Sequence, residues 1–354
     1  MIVKNEEKNI KNCLESISPY VDEIIIIDTG STDNTKKICE AFPVQLYDYP
    51  WSEDFSDARN FSISKAACDW IFWMDADEIL INKPEKRLSE MVESDAKLYS
   101  IKMVHYDNSI DSPDYNYHTS YNYRLFKNDK SFRFVGKIHE QLMPDNLEVL
   151  EEVPILEIVE LHHIGYLIEY TEEKIIRNLS ILAKEKEASP TDPWIHYHIA
   201  VELYRLNKID MALQFIDLSI IYFLQSLLKP PALIYKLKYS ILCTFCRESA
   251  YKGIEKAIEL YPDYVDLHFY RGLLLYQEEK YEDAAKAFSY CILLGEYNPK
   301  YLITSGAGTY NAFYYLGECY TKMNNTKLAK ISFNQALLYN PNFEKALTKL
   351  KALS

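Results

Sequence analysis

The chain is short of positive charge. Its 354 residues hold 39 lysines and arginines against 52 aspartates and glutamates, a formal net charge of −13. Duplex nucleic acid is gripped through a basic footprint, so a dominant nucleic-acid role is excluded. Long apolar runs are also missing, and none approaches the ~20 residues that span a bilayer. Cysteine gives no framework: the seven (13, 39, 68, 243, 246, 291, 319) are scattered and odd in number, which fits reduced thiols in the cytosol. Cys243-Thr244-Phe245-Cys246 is a lone pair that reads as small apolar filler on a helix rather than as a metal or redox site. The opening Met1-Ile2-Val3-Lys4-Asn5-Glu6-Glu7 turns polar after three residues, unlike a signal peptide. Asn60-Phe61-Ser62 and Asn178-Leu179-Ser180 therefore predict no glycan, and the expected location is the cytoplasm. What the chain has is 48% apolar residues and enough length for two cored domains.

The first half alternates short strands with helical stretches. Strands are predicted at residues 1–4, 23–28, 44–47 and 69–74, with helices at 8–18, from Ser31 or Asp33 to Ala41, and at 56–67. Ile10, Cys13, Leu14 and Ile17 share one face of the first helix. This order predicts a mostly parallel sheet with helices on both faces. From residue 100 to 164 the pattern changes to strands (99–104, 121–126, 132–135, 155–162) with long loops. Helical periodicity then runs from about Thr171 to the end.

The helical half repeats. Gly272, Ala284 and Phe288 recur with the same spacing as Gly317, Ala329 and Phe333, and Tyr281 and Tyr320 accompany them. Small residues that let two helices approach, with aromatics filling the gap between them, resemble tetratricopeptide hairpins. Poorer units surround Trp194, Ala200 and Ala212 and run from Pro231 to Pro262, and residues 295–308 read as an inserted loop. Thirty tyrosines suit peptide contact as well as core filling between helices.

The chemistry gathers at strand ends. Open parallel sheets bind ligands at the carboxyl ends of their strands. Glu23-Ile24-Ile25-Ile26-Ile27-Asp28 ends in a carboxylate before Thr29-Gly30-Ser31-Thr32-Asp33, where Gly30 permits a tight turn; Asp28 serves either a ligand or the turn, and Asp33 reads as a cap. The apolar run Trp70-Ile71-Phe72-Trp73-Met74 aims Asp75-Ala76-Asp77-Glu78 at the same edge. Alternate strand residues point the same way, so Asp75 and Asp77 can face one divalent cation and, through it, a diphosphate. Arg59 can pair a phosphate or a carboxylate of the site. His139-Glu140 offers a general base, and His162-His163 offers a ligand that Mn²⁺ tolerates. Aspartyl-phosphatase chemistry fits Asp-Ala-Asp-Glu on a later strand poorly.

Met1-Ile2-Val3-Lys4-Asn5-Glu6-Glu7, Ile27-Asp28-Thr29-Gly30-Ser31-Thr32-Asp33, Ala58-Arg59-Asn60 and Asp75-Ala76-Asp77, in this order, resemble family 2 glycosyltransferases of the GT-A fold. Tyr123-Arg124-Leu125-Phe126, Gly136-Lys137-Ile138-His139-Glu140 and His163-Ile164-Gly165-Tyr166 are similar to a narrower branch. There the transferase precedes tetratricopeptide-like helices, as in the peptide S-glycosyltransferases of glycocin bacteriocins. The resemblance implies a Rossmann-like, mixed-sheet α/β domain at residues 1–166 and an all-α tetratricopeptide-like domain at 167–354. It also implies a UDP-sugar donor, Mg²⁺ or Mn²⁺, and a peptide or protein acceptor modified at Cys or Ser. Val3 and Glu6 would lie beside the nucleoside, Asp28 on the uracil, and Arg59 on the nucleotide. Asp75 would sit near ribose and metal, Asp77 on the metal, and His163 on the metal or the diphosphate. His139 and Glu140 would border the acceptor, with the base undecided between them, and Arg124 would support diphosphate or acceptor. A homodimer through the helical half belongs to the same expectation. Family members carry further residues ahead of the first strand, so the expectation is either a short first strand or a missing upstream segment. Two other readings stand beside this one: transfer to a cell-surface glycan or lipid carrier, and a repeat scaffold with a degenerate transferase domain.

Overall fold

The computed structural model describes residues 1–93, 95–106, 117–150, 153–164, 172–245 and 251–353. Cys246, Gly165, Tyr166 and Thr171, and with them the expected domain junction, lie outside the described residues. The chain divides into two compact units, residues 1–106 with 120–181, and residues 107–119 with 182–354.

The first unit runs β1 (Ile2–Val3), α1 (Ile10–Ile17), β2 (Ile25–Asp28), α2 (Thr35–Cys39), β3 (Gln45–Asp48), α3 (Phe55–Lys65), β4 (Trp70–Phe72), β5 (Glu78–Leu80), β6 (Leu98–Tyr106), β7 (Tyr117–Lys127), β8 (Phe132–Val135), β9 (Gln141–Pro144) and β10 (Ile155–His163). α1 forms because Ile10, Cys13, Leu14 and Ile17 recur at helical spacing, and all four are buried. In β2, Ile26 and Ile27 point to opposite faces and both are fully buried, as expected of a central parallel strand. Asp54 caps α3 by accepting the Asp57 N–H at 3.0 Å.

The mixed-sheet α/β domain expected from the resemblance is there, but the mostly parallel order read from the first four strands is divided between two sheets. β1, β2 and β3 form a three-stranded parallel sheet, with Val3 opposite Asp28 and Asp28 opposite Asp48. β4 instead pairs antiparallel with β7, Ile71 opposite Phe126. A cleft of about 580 Å³ separates the amino ends of β2 and β4, lined by Tyr20, Glu23, Ile25, Asp69 and Trp70 among others. β7, β6, β10 and β5 continue a mixed sheet in which β10 is parallel to β6 and antiparallel to β5. β8 and β9 form a separate hairpin.

The second unit is built of helical hairpins. After α4 (Glu172–Ala188), which spans the boundary, come α5 (Pro193–Arg205), α6 (Ile209–Gln225), α7 (Ala232–Thr244), α8 (Tyr251–Leu260), α9 (Val265–Gln277), α10 (Tyr281–Leu294), the short β11 (Ile303–Thr304), α11 (Tyr310–Lys322), α12 (Thr326–Tyr339) and α13 (Glu344–Ala352). The repeat read from the sequence is the packing seam. A Cβ on Gly272 would lie 2.6 Å from the Phe288 ring, and one on Gly317 2.7 Å from the Phe333 ring, while Ala284 and Ala329 are fully buried beside them. The inserted loop carries β11, which pairs with His118 and Thr119 of the same unit. Tyrosines also fill this core, Tyr239 and Tyr264 being almost fully buried.

Gly317→Ala tests the seam. The added methyl forces the ring aside at about 1–3 kcal/mol, offset by the ~1 kcal/mol that alanine gains over glycine in a helix. A net loss is expected in thermal denaturation, and an unchanged or raised midpoint would refute the tight seam.

Five of the six described cysteines are buried, and Cys68 is half-buried. Burial pushes the Cys39 thiol up to about 11 and the Cys319 thiol up to about 12, and those of Cys13 and Cys291 further still.

Candidate active site

β2 delivers Asp28 to the carboxyl edge of the parallel sheet. Its side chain is buried, and Oδ1 accepts the N–H groups of Gly30 and Ser31, both at 2.9 Å, in the turn that Gly30 makes at φ 106°. Lys36 Nζ stands 3.6 Å from the same oxygen. Oδ2 is buried without a partner. A buried acceptor left unpaired is costly, so it marks where a donor group belongs. Val3 ends β1 beside it, and its carbonyl accepts from the Thr29 N–H (2.9 Å) and hydroxyl (3.1 Å). Glu6 lies in the following loop, bonded to Asn9 at 2.9 Å, and burial raises its carboxyl above the ordinary range.

β4 stops at Phe72, so strand alternation does not place Asp75 and Asp77 as expected. A turn does: the Glu78 N–H bonds the Asp75 carbonyl at 3.1 Å, and the two carboxylates take different partners. Asp75 Oδ1 accepts from Arg59 Nη2 at 2.8 Å. Burial works against its charge, but Arg59 and then Arg124 outweigh it and bring the carboxyl down to about 2. Asp77 Oδ2 lies 3.2 Å from His163 Nε2. Antiparallel pairing of β5 with β10 puts His163 opposite Glu78 and so beside the turn. Burial would strip the His163 proton, but the bond to Asp77 and its charge hold the imidazole above its ordinary value. The His105 ring stands edge-on to His163 at 5.6 Å.

α3 holds the buried Arg59 between two carboxylates. Besides Asp75, its Nε donates to Glu140, and its guanidinium lies 4.5 Å from the centre of the Trp73 ring. α3 also fastens β8 and the loop after it, since Asn60 makes a two-way bond with the Phe134 backbone at 2.8 and 2.9 Å and the Phe55 N–H donates to the Lys137 carbonyl at 2.8 Å. That loop carries His139 in the left-handed region, at φ 54°. A non-glycine residue there is strained and held by its surroundings. The sequence paired His139 with Glu140; the structure gives Glu140 to Arg59.

Arg124 is nearly fully buried and donates through Nη2 to Glu78, with its guanidinium 3.5 Å from the centre of the Trp73 ring. Glu78 was not singled out from the sequence. Its other oxygen accepts the Asp75 N–H at 2.9 Å. Burial pushes its carboxyl up to about 7, with Arg124 opposing the rise and Asp75 adding to it.

Among the described residues, no cluster of three His, Cys, Asp or Glu side chains could hold a metal by itself. Asp77 with His163 is a two-donor set of carboxylate and imidazole. It fits Mg²⁺ or Mn²⁺, which take one or two protein carboxylates and complete their shell with phosphate oxygens and water.

Residues 1–143 match the family model for glycosyl transferase family 2. The N-terminal unit carries a family 2 glycosyltransferase domain. The chain is 32% identical over 230 residues to the SPbeta prophage-derived glycosyltransferase SunS of Bacillus subtilis (strain 168), covering 62% of this chain and 52% of that one. It is 34% identical over 152 residues to a TPR repeat-containing protein of Synechococcus elongatus, covering 43% and 36%. The chain thus spans about half the length, or less, of these curated relatives. Among solved structures, it is similar to YrrB, a TPR protein with an unusual peptide-binding site, at 18% identity and a TM-score of 0.42 over 51% of this chain and 84% of that one. Among the described residues, no helix of the chain is long and apolar enough to cross a membrane.

Proposed function

We propose that the chain is a metal-dependent, inverting glycosyltransferase that moves a hexose from a UDP-sugar to a Cys or Ser side chain of a peptide, a bacteriocin-type precursor being the acceptor class. One observation carries this reading: an unpaired, buried Asp28 Oδ2 at one strand end, in a domain whose next carboxyl-edge turn holds Asp75 and Asp77. The first suits the N–H of a uracil, with Val3 and Glu6 beside the nucleoside. The second suits a diphosphate with its cation.

Asp77 and His163 would hold the cation, which supplies charge neutralisation for the departing diphosphate when bound. Arg59 fixes Asp75 and brings positive charge to the same place. The acceptor attacks the anomeric carbon from the face opposite the diphosphate, and that carbon inverts. Glu140 is held as a counter-charge to Arg59, which favours His139 as the base. A cysteine acceptor, with a reference pKa of about 8.5, asks little of a base, whereas serine needs one throughout. Helical hairpins of the tetratricopeptide kind support a peptide acceptor.

The test is UDP release from UDP-glucose, UDP-galactose and UDP-N-acetylhexosamines, in Mn²⁺ and in EDTA. Release that falls by ~10²-fold or more in EDTA is expected, since the cation contributes several kcal/mol and each 1.36 kcal/mol is tenfold. Silence with every donor, together with no UDP binding by calorimetry, overturns the reading in favour of a repeat scaffold. Transfer to a lipid carrier or glycan in preference to peptides would overturn the acceptor assignment alone.

A further inference from the structure

We propose that Glu78 is a positioning residue for the transfer reaction, setting the carboxylate turn from behind through Arg124 and Trp73. The inference rests on the transferase reading above. Glu78 is almost completely buried, with 2% of its surface exposed, and so cannot itself meet a donor. Its two oxygens do two jobs. One accepts the Asp75 main-chain N–H at 2.9 Å. The other takes Arg124 Nη2 in a close ion pair.

Arg124 relays this hold. Its guanidinium lies 3.5 Å from the centre of the Trp73 ring, and the Arg59 guanidinium lies 4.5 Å from the same centre. Trp73 is itself fixed, its indole N–H bonding the Tyr123 carbonyl at 2.8 Å. Arg59 then grips the Asp75 carboxylate at 2.8 Å. Glu78 therefore restrains Asp75 at both ends, the backbone directly and the carboxylate through two arginines sharing one ring. β5, which Glu78 opens, also aligns His163 beside Asp77. Two further donors of Arg124, Nε and Nη1, are buried without a hydrogen bond, so the guanidinium is fastened through its Nη2 bond to Glu78, with the Asp75 charge nearby. Groups that place a diphosphate lose about 10²-fold in rate when they drift by ~1 Å.

The experiment compares the full chain with Glu78→Gln and Arg124→Lys in the Mn²⁺-dependent release assay. Gln keeps the acceptor for the Asp75 N–H but offers an amide to Arg124. Lys keeps the charge but loses the flat group over Trp73. The expected result for Glu78→Gln is kcat down by ~10²-fold and a severalfold rise in the Mn²⁺ concentration giving half activity. UDP affinity measured without metal should stay within about threefold, because Asp28 lies on another strand. Arg124→Lys should shift the Mn²⁺ dependence the same way, and carries the test if Glu78→Gln fails to fold. A folded Glu78→Gln enzyme with wild-type kcat and Mn²⁺ dependence overturns the proposal. So does loss of metal-free UDP affinity in step with kcat, which marks general disruption. A wild-type chain silent with every donor is the separate failure, and it removes the transferase reading itself.

Discussion

Asp77→Ala is expected to lower Mn²⁺-dependent UDP release by at least ~10²-fold, the scale seen when one group stabilising developing negative charge is removed. The physical ground is the division of labour within the turn. Asp75 is committed to Arg59 by a 2.8 Å bond, whereas the Asp77 carboxylate meets only the imidazole of His163 at 3.2 Å among the described contacts. A cation arriving with a diphosphate would find its protein carboxylate at Asp77. The fold should not suffer. The Asp77 side chain is 21% exposed, and its structural bond, the carbonyl accepting the Ile164 N–H at 2.9 Å, belongs to the backbone. Loss of the one side-chain bond to His163 costs about 1 kcal/mol, too little to unfold the domain. Melting temperature and metal-free UDP affinity should therefore stay close to wild type while turnover is lost. A fully active Asp77→Ala enzyme would remove the metal assignment.

The largest expected stability effect lies in the helical unit, at Lys236→Ala. Lys236 is buried on α7, and its ammonium donates to Asp266 Oδ1 (2.8 Å), Thr304 Oγ1 (2.7 Å) and the Leu302 carbonyl (3.0 Å), and meets His118 Nδ1 at 3.2 Å. Asp266, 1% exposed, also accepts the Thr304 N–H. One cation thus joins α7, α9, β11 and His118, all within the second unit. Its removal leaves a carboxylate uncompensated in the core, a loss of about 3–5 kcal/mol. For a unit of this size that lowers the thermal midpoint by roughly 6–20 °C. Lys238→Ala is the control on the same helix. Its pair with Asp217 is solvent-exposed on the Asp side at 55%, and such pairs contribute less than about 1 kcal/mol. Equal shifts for the two variants would contradict the buried-cluster account. Hydrogen exchange should report the loss first at residues 302–305.

Residues that sit next to one another in sequence were legible, and those that meet only through the fold were not. The isoleucine run of β2, the helical spacing in α1 and the glycine–alanine–phenylalanine repeat each encode one local element, and each element is there. β5 and β9 were missed because three or four residues leave no room for a period to show. β4 was assigned to the parallel sheet because its apolar run is compatible with any buried strand; the pairing with β7 depends on residues 55 positions away (Ile71 to Phe126). Asp28, Arg59, Asp75, Asp77 and His163 could be picked out by type and place. The Glu78–Arg124 pair could not, since nothing at either residue names the other. Glu78 was read with the Asp-x-Asp as part of one carboxyl-edge segment, with no role of its own. Glu140 looked like the partner of its neighbour His139, and it is Arg59, on a different element, that claims it.

The buried thiols bear on how the enzyme would be assayed. At neutral pH a free peptide cysteine is ~3% thiolate, whereas a thiol held near 11 is ~0.01%. Most of the described cysteines of this chain are at least that far from ionisation and are out of reach as well. If the acceptor is a peptide cysteine, as proposed, the chain should not modify its own buried thiols. Its own mass should remain unchanged on long incubation with donor. A thiol-reactive dye added at the end of a reaction should count the cysteines still free on the peptide, over a low background from the enzyme, to which the half-buried Cys68 is the main described contributor.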